Sequence, residues 1–168
     1  MSIYHFGFPY NENQRGDTMH YPRIRDLRED RDLYQRDLAE YLHCTQVTYS
    51  RYELGTRDIP TEVLIALANF YQTSIDYLLG QTDLKHPVRK SEGIVMRNRI
   101  RDLREDADLT QTQIAQYLKM SQTGYSKYET GENDIPTAVW HALADFYKTS
   151  VDYLMGRTDE KSPYSRKK

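Results

Sequence analysis

Residues 33–55 read LYQRDLAEYLHCTQVTYSRYELG. Leu38, Ala39 and Leu42 recur at helical spacing, so the run opening near Tyr34–Gln35 predicts a short helix. His43-Cys44-Thr45 makes a tight three-residue turn. Val47, Tyr49, Ser50 and Tyr52 then carry a second helix, which Gly55 stops, as glycine does just past a helix end. Ala39 is small where the two helices must cross, and Thr45 can cap the second one.

The same reading extends outward. Ile24, Leu27 and, after an irregular stretch, Leu33 mark a preceding helix that ends near residues 30–32. Pro60 opens a later helix, where proline is tolerated in a first turn. Val63, Leu64, Leu67, Ala68 and Tyr71 form its buried stripe. Ser74 is a candidate N-cap for a last short helix, with Asp76 in its positive first turn and Gly80 at its end. No segment alternates with period two. Residues 100–159 repeat residues 24–83 without a slip in register, with about 60% of positions identical, which marks a duplication. In the second copy Ser121 takes the place of Thr45, and Gly131, Pro136, Ser150, Asp152 and Gly156 recur in order.

These patterns divide the chain into an aromatic and polar arm (1–20, with Tyr4, Phe6, Phe8 and Tyr10), a first repeat (21–83), a linker (84–96, with Pro87 and Gly93), a second repeat (97–159) and a basic tail (160–168). Net charge over the 168 residues is −2. The repeats are acidic, with seven basic against eleven acidic residues in the first and eight against ten in the second, while the linker and tail are basic. An anion-binding face on a repeat therefore has to come from local arrangement. Cys44 is the only cysteine, which excludes an intrachain disulfide and fits a reducing cytoplasm. No apolar run is long enough to span a bilayer, and no signal peptide is present. The five histidines have no ligand spacing, so neither metal nor cofactor is expected. No catalytic carboxylate pair or base-activated nucleophile stands out, which argues against an enzyme.

Two short helices across a tight turn are the outline of a helix-turn-helix, whose second helix enters the DNA major groove. Here the sequence resembles the Cro/phage-repressor (XRE-type) class. The matching residues are Leu33-Tyr34-Gln35-x-x-Leu38-Ala39, Thr45-Gln46, Tyr49-Ser50-Arg51-Tyr52-Glu53-Leu54-Gly55 and Ser74-Ile75-Asp76-Tyr77-Leu78-Leu79-Gly80. The second copy has Leu109-Thr110-Gln111-x-x-Ile114-Ala115, Ser121-Gln122, Tyr125-Ser126-Lys127-Tyr128-Glu129-Thr130-Gly131 and Ser150-Val151-Asp152-Tyr153-Leu154-Met155-Gly156. The resemblance implies an all-α chain: two tandem five-helix lambda-repressor-like domains joined by a short linker.

It also implies roles. Bases would be read by Gln46, Val47 and Arg51 in the first copy, and by Gln122, Thr123 and Lys127 in the second. Glutamine suits adenine N6/N7, arginine suits guanine O6/N7, and a valine or threonine methyl suits the thymine methyl. Gln35, Thr48, Ser50, Gln111 and Ser126 are candidate phosphate contacts. Arg28 with Glu53 and Arg104 with Glu129 match the family's buried ion pair and are structural. Basic residues of the linker and tail (Lys85, Arg89, Lys90, Lys161, Arg166, Lys167, Lys168) are either salt-sensitive phosphate contacts or solvated ends.

Plainer readings apply elsewhere. The paired tyrosines 41/117, 49/125, 52/128, 71/147 and 77/153 read as buried or half-buried packing. Cys44 aligns with Met120, which makes Cys44 a small apolar residue under the turn. Trp140 and His141 replace Leu64 and Ile65, as core substitutions or as an interface contact. Gly124, standing for Thr48, costs about 1 kcal/mol inside a helix and admits either a close approach or a drifted reading helix. The expected function is sequence-specific transcriptional regulation, as a repressor on a double-stranded DNA operator with two related half-sites. The rival is a helical adaptor or antitoxin-like module that binds another regulator or a toxin. Half-site orientation, a homodimer and a protein partner stay open, and no membrane partner is expected.

Overall fold

The computed structural model describes residues 21–85 and 98–165, and among them every regular element is helical. The first repeat contains α1 (Pro22–Glu29), α2 (Gln35–Tyr41), α3 (Gln46–Glu53), α4 (Thr61–Tyr71) and α5 (Ile75–Leu78). The second contains α6 (Ile100–Asp106), α7 (Gln111–Tyr117), α8 (Gln122–Thr130), α9 (Thr137–Tyr147) and α10 (Val151–Leu154). Hydroxyl caps set the helix starts. The Thr45 hydroxyl accepts from the Thr48 N–H at 3.1 Å, Ser121 from Gly124 at 3.1 Å, Ser74 from Tyr77 at 3.1 Å and Ser150 from Tyr153 at 3.0 Å. Each satisfies an amide that has no partner within its helix. Gly131 closes α8 with φ +76°, a left-handed conformation that glycine adopts without steric cost.

Ile24, Leu38, Tyr49, Leu64, Leu67 and Leu78 are fully enclosed in the first repeat, as are Ile100, Ile114, Tyr125, Leu143 and Leu154 in the second. Burial raises the Tyr49 and Tyr125 hydroxyls well above the ordinary tyrosine range. Leu33 lies beyond α1, after the irregular stretch, where its carbonyl accepts from Arg28 Nη1 at 2.8 Å. Two local expectations change. Pro60 sits at the N-cap, one residue ahead of α4. Tyr41 is 44% exposed rather than buried. It stands on the outer rim of α2 and covers Phe70 (ring centroids 4.7 Å apart) without being enclosed itself.

The repeats meet along a seam whose contacts are exchanged in both directions. The Asp58 carboxylate accepts from the Thr137 N–H and Asp134 accepts from the Thr61 N–H, each at 3.1 Å. Asp76 accepts from the Val151 and Asp152 amides at 3.1 and 3.0 Å. Asp152 accepts from the Ile75 and Asp76 amides at 2.8 and 3.2 Å. In the register of the duplication these are the same contacts made twice with the roles exchanged. Reciprocity of that kind is the mark of a two-fold, isologous interface. Trp140 lies in this seam, 2% exposed, and its indole N–H donates to the Thr61 hydroxyl at 3.1 Å. It is buried and an interface residue at once.

The arm, residues 86–97 of the linker and domain start, and residues 166–168 lie outside the described residues. The Lys85 ammonium stands 5.7 Å from the Tyr77 ring centre. The described tail packs onto both repeats: the Thr149 hydroxyl donates to the Lys161 carbonyl at 2.6 Å, and Thr82 donates to the Ser165 carbonyl at 2.9 Å.

Candidate nucleic-acid interface

The candidate reading faces lie on α3 and α8. Tyr49 and Tyr125 anchor these helices in the core, which turns the intervening residues outward. Gln46, Val47 and Arg51 are exposed on α3, and Gln122, Thr123 and Lys127 are exposed on α8. Val47, at 62% exposure, is an apolar side chain left in water that a thymine methyl can cover. The five candidate phosphate contacts are only half exposed.

A carboxylate behind each reading helix ties three helices together. Arg28 donates to Glu53 through Nε at 2.6 Å and Nη2 at 3.3 Å. Arg104 donates to Glu129 in the same way at 2.6 and 3.1 Å. The Gln35 amide donates to Glu53 at 2.9 Å and the Gln111 amide to Glu129 at 2.8 Å. Burial pushes the Glu129 carboxyl up, but hydrogen bonds from Arg104 and Gln111 outweigh it and hold the group below the usual glutamate value. The two glutamines expected at phosphates are therefore also bridges between the second helix of each repeat and its reading helix.

The two faces are not copies in detail. Gln122 donates to Gln111 Oε1 at 2.6 Å, which orients the first candidate base-reading side chain of the second repeat. In the first repeat the Thr48 hydroxyl pairs with Thr45 at 2.9 Å. Its counterpart Gly124 has no side chain, and a Cβ there would meet the Met120 methyl at 3.0 Å and Ser121 Oγ at 3.1 Å. Met120 replaces the smaller Cys44, so the larger residue under the turn and the missing side chain above it compensate each other. The α8 start retains its cap and helical course.

Two cations near the first reading face were not singled out from sequence. Arg36 on α2 is exposed, with its guanidinium 4.8 Å from the Tyr34 ring centre and 3.6 Å from Asp37. Arg57 lies beside the end of α3, because its N–H donates to the Arg51 carbonyl at 3.3 Å. The loop after Gly55 turns back onto the reading helix, and a cation two residues past that glycine was the available signal. Asn133 makes the equivalent backbone bond to Lys127 at 3.2 Å. Among the described residues no group of histidine, cysteine and acidic side chains could hold a metal ion, and no helix is long and apolar enough to cross a membrane.

A helix-turn-helix family model matches residues 24–78 and a helix-turn-helix domain model matches residues 96–154. The HTH-type transcriptional regulator YobD of Bacillus subtilis is 36% identical over 69 residues, 41% of this chain and 62% of its own. The HTH-type transcriptional regulator ImmR of the same organism is 36% identical over 62 residues, 37% of this chain and 49% of its own. The cryptic phage CTXphi transcriptional repressor RstR of Vibrio cholerae is 35% identical over 78 residues, 43% of this chain and 70% of its own. The chain thus spans less than two thirds of the length of either Bacillus regulator. No solved structure matches it.

Proposed function

Because this chain belongs to the helix-turn-helix family of transcriptional regulators, we propose that it is a sequence-specific repressor that occupies an operator through two reading heads on one polypeptide. The observation that carries this reading is the outward presentation of α3 and α8 on two repeats joined by a reciprocal seam. A two-fold seam turns the heads toward inverted half-sites about one helical turn apart, where a simple string of domains would suit direct repeats. The half-sites are related but unequal. Arg51 favours guanine through two parallel hydrogen bonds, whereas Lys127 approaches it as a point charge. Val47 and Thr123 each offer a methyl to thymine, and Thr123 adds a hydroxyl. Repression follows from occupancy, since a protein seated on a promoter excludes polymerase. The relative from Vibrio cholerae is itself named a transcriptional repressor.

The test is selection of bound fragments from genomic DNA by purified protein at near-physiological salt, followed by transcription in vitro from a promoter carrying the enriched site. An inverted pair of unequal half-sites and protein-dependent loss of transcript are expected. Enrichment of one half-site alone would remove the second head from base reading. No enrichment by folded protein would overturn operator binding and favour the adaptor role.

A further inference from the structure

The Asp76 and Asp152 carboxylates meet at the centre of the seam, 5% and 0% exposed. Each accepts backbone N–H groups from the start of the other repeat's last helix. Those amides have no partner within their own helix, so each repeat completes the other. Two buried acids this close repel unless a cation or a proton intervenes. The cation is Arg157: its Nε donates to Asp152 Oδ1 at 2.8 Å, and its Nη1 reaches across the seam to Asn69 Oδ1 at 3.0 Å. The counterpart of Arg157 in the register is Gln81. At this point the seam therefore brings two acids together with one arginine, supplied by the second repeat.

We propose that Arg157 is a positioning residue for the reading helices: by holding the Asp76–Asp152 pair together it fixes α3 relative to α8, and with them the half-site spacing that the chain accepts. The inference rests on the operator reading. A continuous set of contacts relays the position in the first repeat. Arg23 of α1 donates to the Tyr77 carbonyl of α5 at 3.0 Å, and Arg28 of the same helix grips Glu53 at the end of α3. In the second repeat the Arg99 N–H donates to the Leu154 carbonyl of α10 at 2.8 Å, and Arg104 grips Glu129 of α8. The titratable groups facing Asp76 are Asp152 on α10 and Tyr164 of the tail; Arg157 acts on it through Asp152, and Arg23 of α1 covers the neighbouring Tyr77 ring. Burial, then the charge of Asp152, pushes Asp76 up to about 8. Burial and the same two acids also raise the Tyr164 hydroxyl. Asp76 thus retains a proton at neutral pH and loses it in mild alkali, where Arg157 is the cation bonded to its partner acid and opposes the repulsion.

The test uses the full chain with spin labels at Glu40→Cys and Gln116→Cys, exposed positions on α2 and α7, in a Cys44→Ser background. The unmodified seam is expected to give one narrow distance population at pH 7. Arg157→Gln should broaden it at pH 9, once the retained proton is gone, and weaken binding to the two-half-site operator there about tenfold or more, while single half-site binding changes less than about twofold. The double variant Arg157→Gln/Gln81→Arg returns a cation from the first repeat and should restore both. Should Arg157→Gln not fold, Gln81→Arg alone decides: it should remove any broadening of the distance between pH 6 and pH 9, and persistence of that broadening overturns the proposal. Equal losses on full and half operators, or a narrow distance in folded Arg157→Gln at pH 9, also overturn it. The distance measurement needs no DNA, so a chain that shows the distance response yet binds no DNA fails the operator reading and supports the seam.

Discussion

Replacing Glu129 with alanine removes the acceptor that ties α6 and α7 to α8. Its side chain is 2% exposed, and it receives Arg104 Nε at 2.6 Å, Arg104 Nη2 at 3.1 Å and the Gln111 amide at 2.8 Å. Removing one member of a buried ion pair costs about 3–5 kcal/mol, because the remaining charge loses its partner. Arg104 retains the Leu109 carbonyl at 2.8 Å and Glu105 at 3.3 Å, which places the expected loss at the lower end, about 3 kcal/mol. For a chain of this size that is roughly a 6–12 °C drop in melting temperature. The paired replacement Arg104→Met/Glu129→Leu should recover most of it, since two apolar groups leave no unpaired charge. Urea and thermal unfolding followed by circular dichroism give both numbers. The pH dependence supplies a second check. Glu129 lies below its ordinary value in the fold, so its contribution is present above the unfolded pKa and lost as pH falls through the folded one. Glu129→Ala should flatten that acid limb. A loss under about 1 kcal/mol, or a double variant as unstable as the single one, would refute the ion pair as the tie between α6 and α8.

Arg51→Ala should weaken operator binding by about 1–3 kcal/mol and relax the preference at one base pair, with the melting curve unchanged; fluorescence anisotropy on matched and mismatched duplexes measures it. Asp76 is raised from 3.8 to about 8 in the fold, so the proton it retains stabilises the native chain fully below pH 4, and this contribution is lost as pH rises through about 8. The urea midpoint should fall across that window. Trp140→Leu, which restores the residue of the first repeat, forfeits the bond to Thr61 and much seam area, for an expected cost of about 1–3 kcal/mol by chemical denaturation. Gly124→Ala gains up to about 1 kcal/mol of helix propensity if the Met120 methyl swings aside; combined with Met120→Cys the gain should be complete, and a double-mutant cycle with no coupling would disprove the compensation.

The helices were legible because their signals are local. Apolar spacing in α2 and α4, the hydroxyls at 45, 74, 121 and 150, and the glycines at 55 and 131 each act within a turn of their own position. The register of the duplication then carried every element across to the second copy. Tyr41 escaped this logic because spacing reports which face of a helix is apolar and says nothing of where the domain's rim runs.

The seam escaped it for a deeper reason. Asp76 two residues after Ser74 reads as a residue serving its own helix, since an acid in the first turn is favourable there. In the fold its carboxylate instead accepts amides of α10, while Asp152 accepts those of α5. Local and exchanged capping leave the same sequence, because both copies carry the same Ser-x-Asp. A duplication therefore hides its own interface: every residue has a twin in the same register, and pattern alone cannot say which copy it serves. What breaks the degeneracy is a difference between copies. Trp140 against Leu64 and Arg157 against Gln81 are two positions where the copies diverge, and both lie in the seam and contact the first repeat. Divergence at Val47/Thr123 and Arg51/Lys127 instead falls on the exposed faces of α3 and α8. At these four positions burial thus separates the residues that join the copies from those that face outward. The enclosed tryptophan and arginine belong to the first group, and the exposed basic and methyl-bearing residues of α3 and α8 to the second.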